Sequence, residues 1–228
     1  MTPERFRKLR RALAARQPDL TILAENVHKA HNIAAIIRTC DAVGILEAHA
    51  VSETGEMRRH QGIAGGTRTW VPVRFHEDVA AGVAALRGAG FAVLAAHQSD
   101  RAVDYRAPDY TKPTALLLGS ELVGVSPTAA ALADGHVVVP MEGLVESLNV
   151  SVAAALILYE ARRQREAAGM YRASRLDPDL AETRLFEWAH PKIAARCRRQ
   201  GRPYPPMTAD GDLATNPFAP GEPDTGSG

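Results

Sequence analysis

The chain has 228 residues, 46% of them hydrophobic and 23% charged, with a formal net charge of +1. That length suits one well-cored domain with appendages, and no apolar run reaches the roughly 20 residues of a membrane span. The charged N-terminus lacks the apolar core of a signal peptide, and Cys40 and Cys197 form no spaced pair for a disulfide framework or a zinc site, so the expectation is a cytoplasmic protein without a metal.

In chain order, residues 4–16 predict a helix, with Phe6, Leu9 and Leu13 as a narrow apolar stripe among arginines and Pro18 and Asp19 as its end. "LTILAE" (20–25) reads as a strand. "NIAAIIRTCDAVG" (32–44) predicts an amphipathic helix with Asn32 as N-cap and Gly44 as its stop. "EAHAV" (47–51) is a second strand, and residues 52–69 predict a polar, Gly-rich loop with a short helix. "WVPVRF" (70–75) and "FAVLAAH" (91–97) read as strands around a helix at 78–88, followed by an irregular connection at 98–113. "TALLLG" (114–119) is apolar throughout, the mark of a strand buried on both faces. A loop and short helix (120–133) lead to the last strand, "HVVVP" (136–140), and then to the longest helix, 149–167. Residues 170–200 predict one or two basic helices, and the tail from Gly201, rich in Pro, Gly, Asp and Thr, predicts little order. Strands alternating with helices imply an α/β fold with a mostly parallel sheet. The expected divisions are a basic N-terminal helix (1–18), a central domain (19–168) and a C-terminal helical extension with a flexible tail (169–228).

Open α/β sheets bind ligands beyond the carboxyl ends of their strands. Three such ends are unusual here: Ala96-His97; Gly119-Ser120-Glu121 through Ser126; and Pro140-Met141-Glu142-Gly143 followed by Ser147-Leu148-Asn149. Ser147 and Asn149 open a helix that is apolar almost all round. Capping its unpaired N–H groups explains them without any ligand, and facing a pocket is the alternative. Arg38, alone, reads as a surface arginine pairing with Asp41 at i+3. His28 and His31 lack further ligands nearby in sequence, so no metal is expected. "GIAGGT" (62–67) lacks the spacing of a dinucleotide fingerprint. Basic residues gather in three places: Arg5, Arg7, Lys8, Arg10, Arg11 and Arg16; Arg162, Arg163 and Arg165; and Arg196, Arg198, Arg199 and Arg202. Each suits a solvated helix face, and the three together point to a nucleic acid.

Three segments carry a resemblance. Asn32 is followed six residues later by Arg38 in "HNIAAIIRT"; a strand runs into "LLLGSELVGVS"; and "VPMEGLVESLNVSVA" follows. Together and in this order they resemble the SpoU family of RNA 2′-O-methyltransferases, within the SPOUT superfamily. "NVHKAHN", "TCDAVGILEAHAV", "DYTKPTALLLG", "LYEARRQREAAGMY" and "RPYP" resemble the branch that methylates the D-loop guanosine at position 18 of tRNA.

The resemblance implies a sheet whose C-terminal part forms a deep trefoil knot, a homodimer, and S-adenosylmethionine as methyl donor. It implies a catalytic group of Arg38, Asn32, Glu121, Ser147 and Asn149. The implied cofactor residues are Ala96, His97, Leu118, Gly119, Val139, Met141, Ser147, Leu148 and Asn149. The implied RNA contacts are Lys8, Arg16, His31, Arg163 and Arg165, with tRNA rather than DNA as partner. Arg38 is expected to act either through a proton relay via a phosphate or as a cation that stabilises the developing alkoxide. The second is favoured, because arginine is effectively always protonated in proteins. The alternatives are a ribosomal RNA methyltransferase of the same family and a non-catalytic RNA-binding protein.

Overall fold

The computed structural model describes residues 1–52, 70–215 and 218. Its helices are α1 (Pro3–Ala14), α2 (Ala30–Val43), α3 (Val79–Gly88), α4 (Pro127–Leu132), α5 (Val150–Ala167), α6 (Pro178–Ala189) and α7 (Pro191–Arg199). Its strands are β1 (Leu20–Glu25), β2 (Ala48–Val51), β3 (Val73–His76), β4 (Ala92–Ala96), β5 (Ala102–Asp104), β6 (Thr114–Leu118) and β7 (Gly135–Val138). The chain divides into two compact units, Ala15–Arg175 and Met1–Ala14 with Leu176–Gly228.

The larger unit is a seven-stranded sheet in the order β3-β2-β1-β6-β4-β7-β5, with every neighbouring pair parallel. Parallel pairing puts all strand exits at one end. The central strand β6 is buried on both faces. Leu116 and Leu118 join the cluster formed with α2 and α5, whereas Ala115 and Leu117 join the one formed with α3 and α4. The period-two alternation of a strand divides these residues between the two layers. Gly44 closes α2 at φ 86, where a Cβ would stand 2.6 Å from the Ala15 carbonyl oxygen, so only glycine fits there without a shift.

Several expectations need correction. Helix α2 starts at Ala30, with Lys29 as its N-cap residue, so Asn32 lies inside the first turn and is 1% exposed rather than capping. The connection at 98–113 contains the short edge strand β5, too brief to leave a periodic signal. Helix α5 buries Ala154, Ile157, Leu158 and Ala161 and leaves Val152, Leu156 and Tyr159 exposed by 46%, 40% and 50%. The expectations for 53–69 and for the chain from 219 lie outside the described residues.

The smaller unit brings together the two ends of the sequence, which the expected divisions kept apart. The stripe Phe6, Leu9 and Leu13 of α1 is buried as expected, and α1 packs against α6, which buries Leu185, Phe186 and Trp188. The tail is ordered further than its composition implied. Thr208 N–H donates to the Asp212 carbonyl at 2.8 Å, and the His190 ring nitrogen lies 2.8 Å from the Gly211 carbonyl oxygen. Among the described residues no helix is long and apolar enough to cross a membrane.

Candidate active site

Two adjoining clefts lie at the exit end of the sheet, beyond β4, β6 and β7. The larger, about 510 Å³, is lined by Lys29, Ala96, Leu118, the segment Gly119–Val125, Ser147, Leu148, Asn149, Val150 and Ala153. The smaller, about 120 Å³, is lined by residues that include Ala96, His97, Val139, Met141, Ser147 and Leu148. Every expected cofactor residue therefore lines one of the two, and Ala96, Ser147 and Leu148 line both. A volume of several hundred cubic ångströms is that of a small-molecule site. The wall after β6 is backbone packed on backbone: a Cβ on Gly119 would lie 2.0 Å from the Gly124 carbonyl carbon. The residues present fit a nucleoside-bearing ligand, with apolar surface from Leu118, Leu148, Val139 and Met141 and polar groups from Glu121 and Asn149.

The polar edge of the larger cleft is a fixed hydrogen-bond chain. Asn149 caps α5, its side-chain oxygen accepting from Ser151 N–H at 2.8 Å. Its amide nitrogen donates to the Asn32 side-chain oxygen at 3.1 Å. The Asn32 amide nitrogen in turn donates to Glu121 at 2.8 Å. Glu121 also accepts from the backbone N–H groups of His28 at 3.1 Å and Lys29 at 3.0 Å. Burial pulls the Glu121 carboxyl upward, but Asn32 and the backbone donors outweigh it and hold it below its ordinary value. Capping and site placement are thus one arrangement in Asn149: its oxygen starts the helix while its nitrogen orients Asn32. Ser147 is exposed at the mouth of both clefts. His97 borders the smaller cleft, where burial and then His136 and Arg101 lower its affinity for a proton.

Arg38 lines neither cleft. It is exposed on α2, and among the described residues it has no hydrogen-bond or ion-pair partner. The i+3 pairing with Asp41 does not form, because Asp41 pairs with Arg16. His31 is exposed on the same helix, and Lys8 is exposed on α1.

Two of the expected RNA contacts are corrected. Arg165 is 0% exposed, and its guanidinium is taken up by Asp19 at 2.5 Å, Gln17 at 3.2 Å and the carbonyls of Tyr110, Asp19 and Lys112. Arg16 is 2% exposed and donates to Asp41 and to the Ile45 carbonyl. Both side chains serve the interior and present no surface to a phosphate. Arg163, by contrast, stays exposed while bonding Glu160 at 2.7 and 2.8 Å.

Sequence reading missed Lys29, whose backbone anchors Glu121 and which is, among the described residues, the one cationic residue lining the larger cleft. Its partner lies 92 positions away, so no local spacing could reveal it.

Comparison with known proteins identifies the family. The model of the SpoU rRNA Methylase family matches residues 19–159, and that of the SpoU rRNA methylase C-terminal region matches 163–216. The chain is 49% identical over 215 residues to the tRNA (guanosine(18)-2'-O)-methyltransferase of Escherichia coli strain K12, covering 93% of this chain and 94% of that protein. It is 53% identical over 187 residues to the protein of that description from Thermus thermophilus, covering 82% and 96%. Among solved structures, the TrmH/SpoU tRNA modifying enzyme of A. aeolicus superposes with a TM-score of 0.77 at 41% identity, covering 83% of this chain and 97% of that one. The SpoU methyltransferase AviRb from Streptomyces viridochromogenes, solved in complex with the cofactor AdoMet, gives a TM-score of 0.58 at 30% identity, covering 66% and 62%.

Proposed function

The chain belongs to the SpoU methylase family, and from that premise we propose that it is a tRNA (guanosine(18)-2′-O)-methyltransferase that uses S-adenosylmethionine. The observation that carries the reading is the chain Asn149–Asn32–Glu121 at the edge of the cleft, where Asn32 shares its helix with the exposed Arg38.

S-adenosylmethionine supplies a methyl group already activated by a sulfonium charge. The protein must hold it, align the ribose and manage the hydroxyl proton. The loops after β4, β6 and β7 hold the cofactor: Ala96 and His97, Leu118 and Gly119, and Val139, Met141, Ser147 and Leu148. Asn32 has both ends of its amide committed, to Asn149 and to Glu121, so the first turn of α2 is fixed against the cleft. Arg38 acts from that helix as a cation. It binds the phosphate beside the target ribose and stabilises the 2′-oxygen as its proton passes to water, the role of a preorganised donor where charge develops.

Lys8, His31 and Arg163 are the exposed candidates for tRNA contact. Such contacts position the nucleic acid without reading its sequence. The partner surface is a second copy of this chain: Val152, Leu156 and Tyr159 form one apolar stripe on α5, and Leu122, Val123, Leu144 and Val145 are exposed apolar side chains on the loops. Contiguous apolar exposure of this kind marks an association surface. The C-terminal part of the sheet closes into a trefoil knot, a rare topology. That knot is what the family resemblance implies.

The test is methyl transfer from labelled S-adenosylmethionine to an unmodified tRNA transcript, mapped by nucleotide. Label on the 2′-oxygen of guanosine 18 is the expected result. Label on ribosomal RNA alone would move the substrate, and no transfer despite tight RNA binding would leave a binding protein.

A further inference from the structure

Glu25 belongs to none of the groups described so far, yet it is a buried acid, 5% exposed, at the last position of β1. A carboxyl group at such depth is costly unless hydrogen-bonded. Both of its oxygens are engaged by a single residue: Oε1 accepts from the Ser126 hydroxyl at 2.6 Å, and Oε2 from the Ser126 N–H at 3.0 Å. The Ser126 oxygen then accepts from Ala129 N–H at 3.1 Å and caps α4.

Ser126 directly follows the segment Gly119–Val125 that walls the larger cleft. Within that segment Ser120 and Gly124 exchange backbone hydrogen bonds at 3.0 and 2.9 Å, so it is folded on itself. Its near end is held by Glu121, bonded to His28, Lys29 and Asn32. Its far end is held by Glu25. Glu25 is followed at once by Asn26, at a left-handed φ of 51, and then by the residues that Glu121 grips. The two acids therefore close a ring: β1 holds the loop through Glu25, and the loop holds the approach to α2 through Glu121.

We propose that Glu25 is a positioning residue for the methyl donor, setting the wall Gly119–Val125 at the spacing the cofactor requires. This rests on the functional reading above. Glu25 does not line the cleft and touches no reacting atom; it acts through Ser126. Replacing it by glutamine keeps its size, lets the amide oxygen accept from Ser126 N–H and the amide nitrogen donate to Ser126 Oγ, and removes the charge that strengthens both bonds.

The measurement is calorimetric binding of S-adenosylhomocysteine to the full chain, with hydrogen exchange of the Gly119–Val125 amides beside it. Glu25→Gln is expected to weaken binding about tenfold, as the change from charged to neutral hydrogen bonds implies. Exchange should quicken in that segment but not in α5. The KM for S-adenosylmethionine should rise by more than kcat falls. Ser126→Ala, which keeps the backbone donor, should weaken binding less, and Ser126→Thr, which keeps the hydroxyl, should restore it. If Glu25→Gln fails to fold, the Ser126 pair decides the matter. Wild-type binding with Glu25→Gln and Ser126→Ala both within about twofold of it would overturn the proposal alone. Absence of wild-type binding would overturn the functional reading and this one with it.

Discussion

The interior and the surface of the larger unit treat their arginines in opposite ways. At the entry end, Arg165 and Arg16 are buried and bonded to Asp19, Asp41 and backbone carbonyls. On α2, Arg38 is exposed and unpartnered among the described residues, while the acids and amides around the clefts at the exit end are locked to one another. A charge with its hydrogen bonds filled holds the fold. A charge left open at the surface is available to a ligand. Position in the fold, more than residue type, separates the two roles.

The comparison breaks most visibly at Arg165. Arg165→Ala should lower stability by about 3–5 kcal/mol, because it strands buried partners. Chemical denaturation of the purified variant checks this, and a midpoint equal to wild type would mean that the entry end is not the structural one. Arg38→Ala should do the reverse. Its melting midpoint should match wild type while kcat falls about 10²- to 10³-fold, the cost of removing one preorganised donor.

Acid sharpens the same contrast. Burial raises the Asp19 carboxyl, but Arg175 and Arg165 outweigh it and hold it below its ordinary 3.8. Its contribution is then complete above that ordinary value and is lost as pH falls through the lower native one. Asp19→Asn should flatten part of the acid limb of the melting curve. Glu121, held below its ordinary 4.5, follows the same sign at the exit end. Its protonation should cost cofactor affinity before it costs the fold, which parallel titrations of binding and melting would reveal. The smallest effect is expected at Arg163. Arg163→Ala should weaken tRNA binding evenly across sequences and reduce the salt slope by about 1, with little change in melting, since an exposed ion pair contributes about 1 kcal/mol or less.

Much of this was legible in the sequence, and the failures have physical causes. The buried strand β6, the stop at Gly44 and the stripe on α1 follow from periodicity and local backbone demands. Asn149 was readable as a cap and as a site residue, and it is a cap that also bonds Asn32. Arg163 and Arg165 looked alike in a basic run, but residues two apart on a helix do not share a face. One points to solvent and the other into the core. The pairs Asn32–Glu121 and Glu25–Ser126 join positions 89 and 101 residues apart. Only the strand order, with β6 beside β1, brings them together, and no spacing rule contains it.

The most direct test uses two tRNA transcripts that differ at one atom, guanosine 18 and its 2′-deoxy counterpart, offered to the wild-type protein with labelled S-adenosylmethionine. Label on the first and none on the second is the result predicted. Equal label on both would place the methyl group elsewhere and contradict ribose 2′-O-methylation at that position.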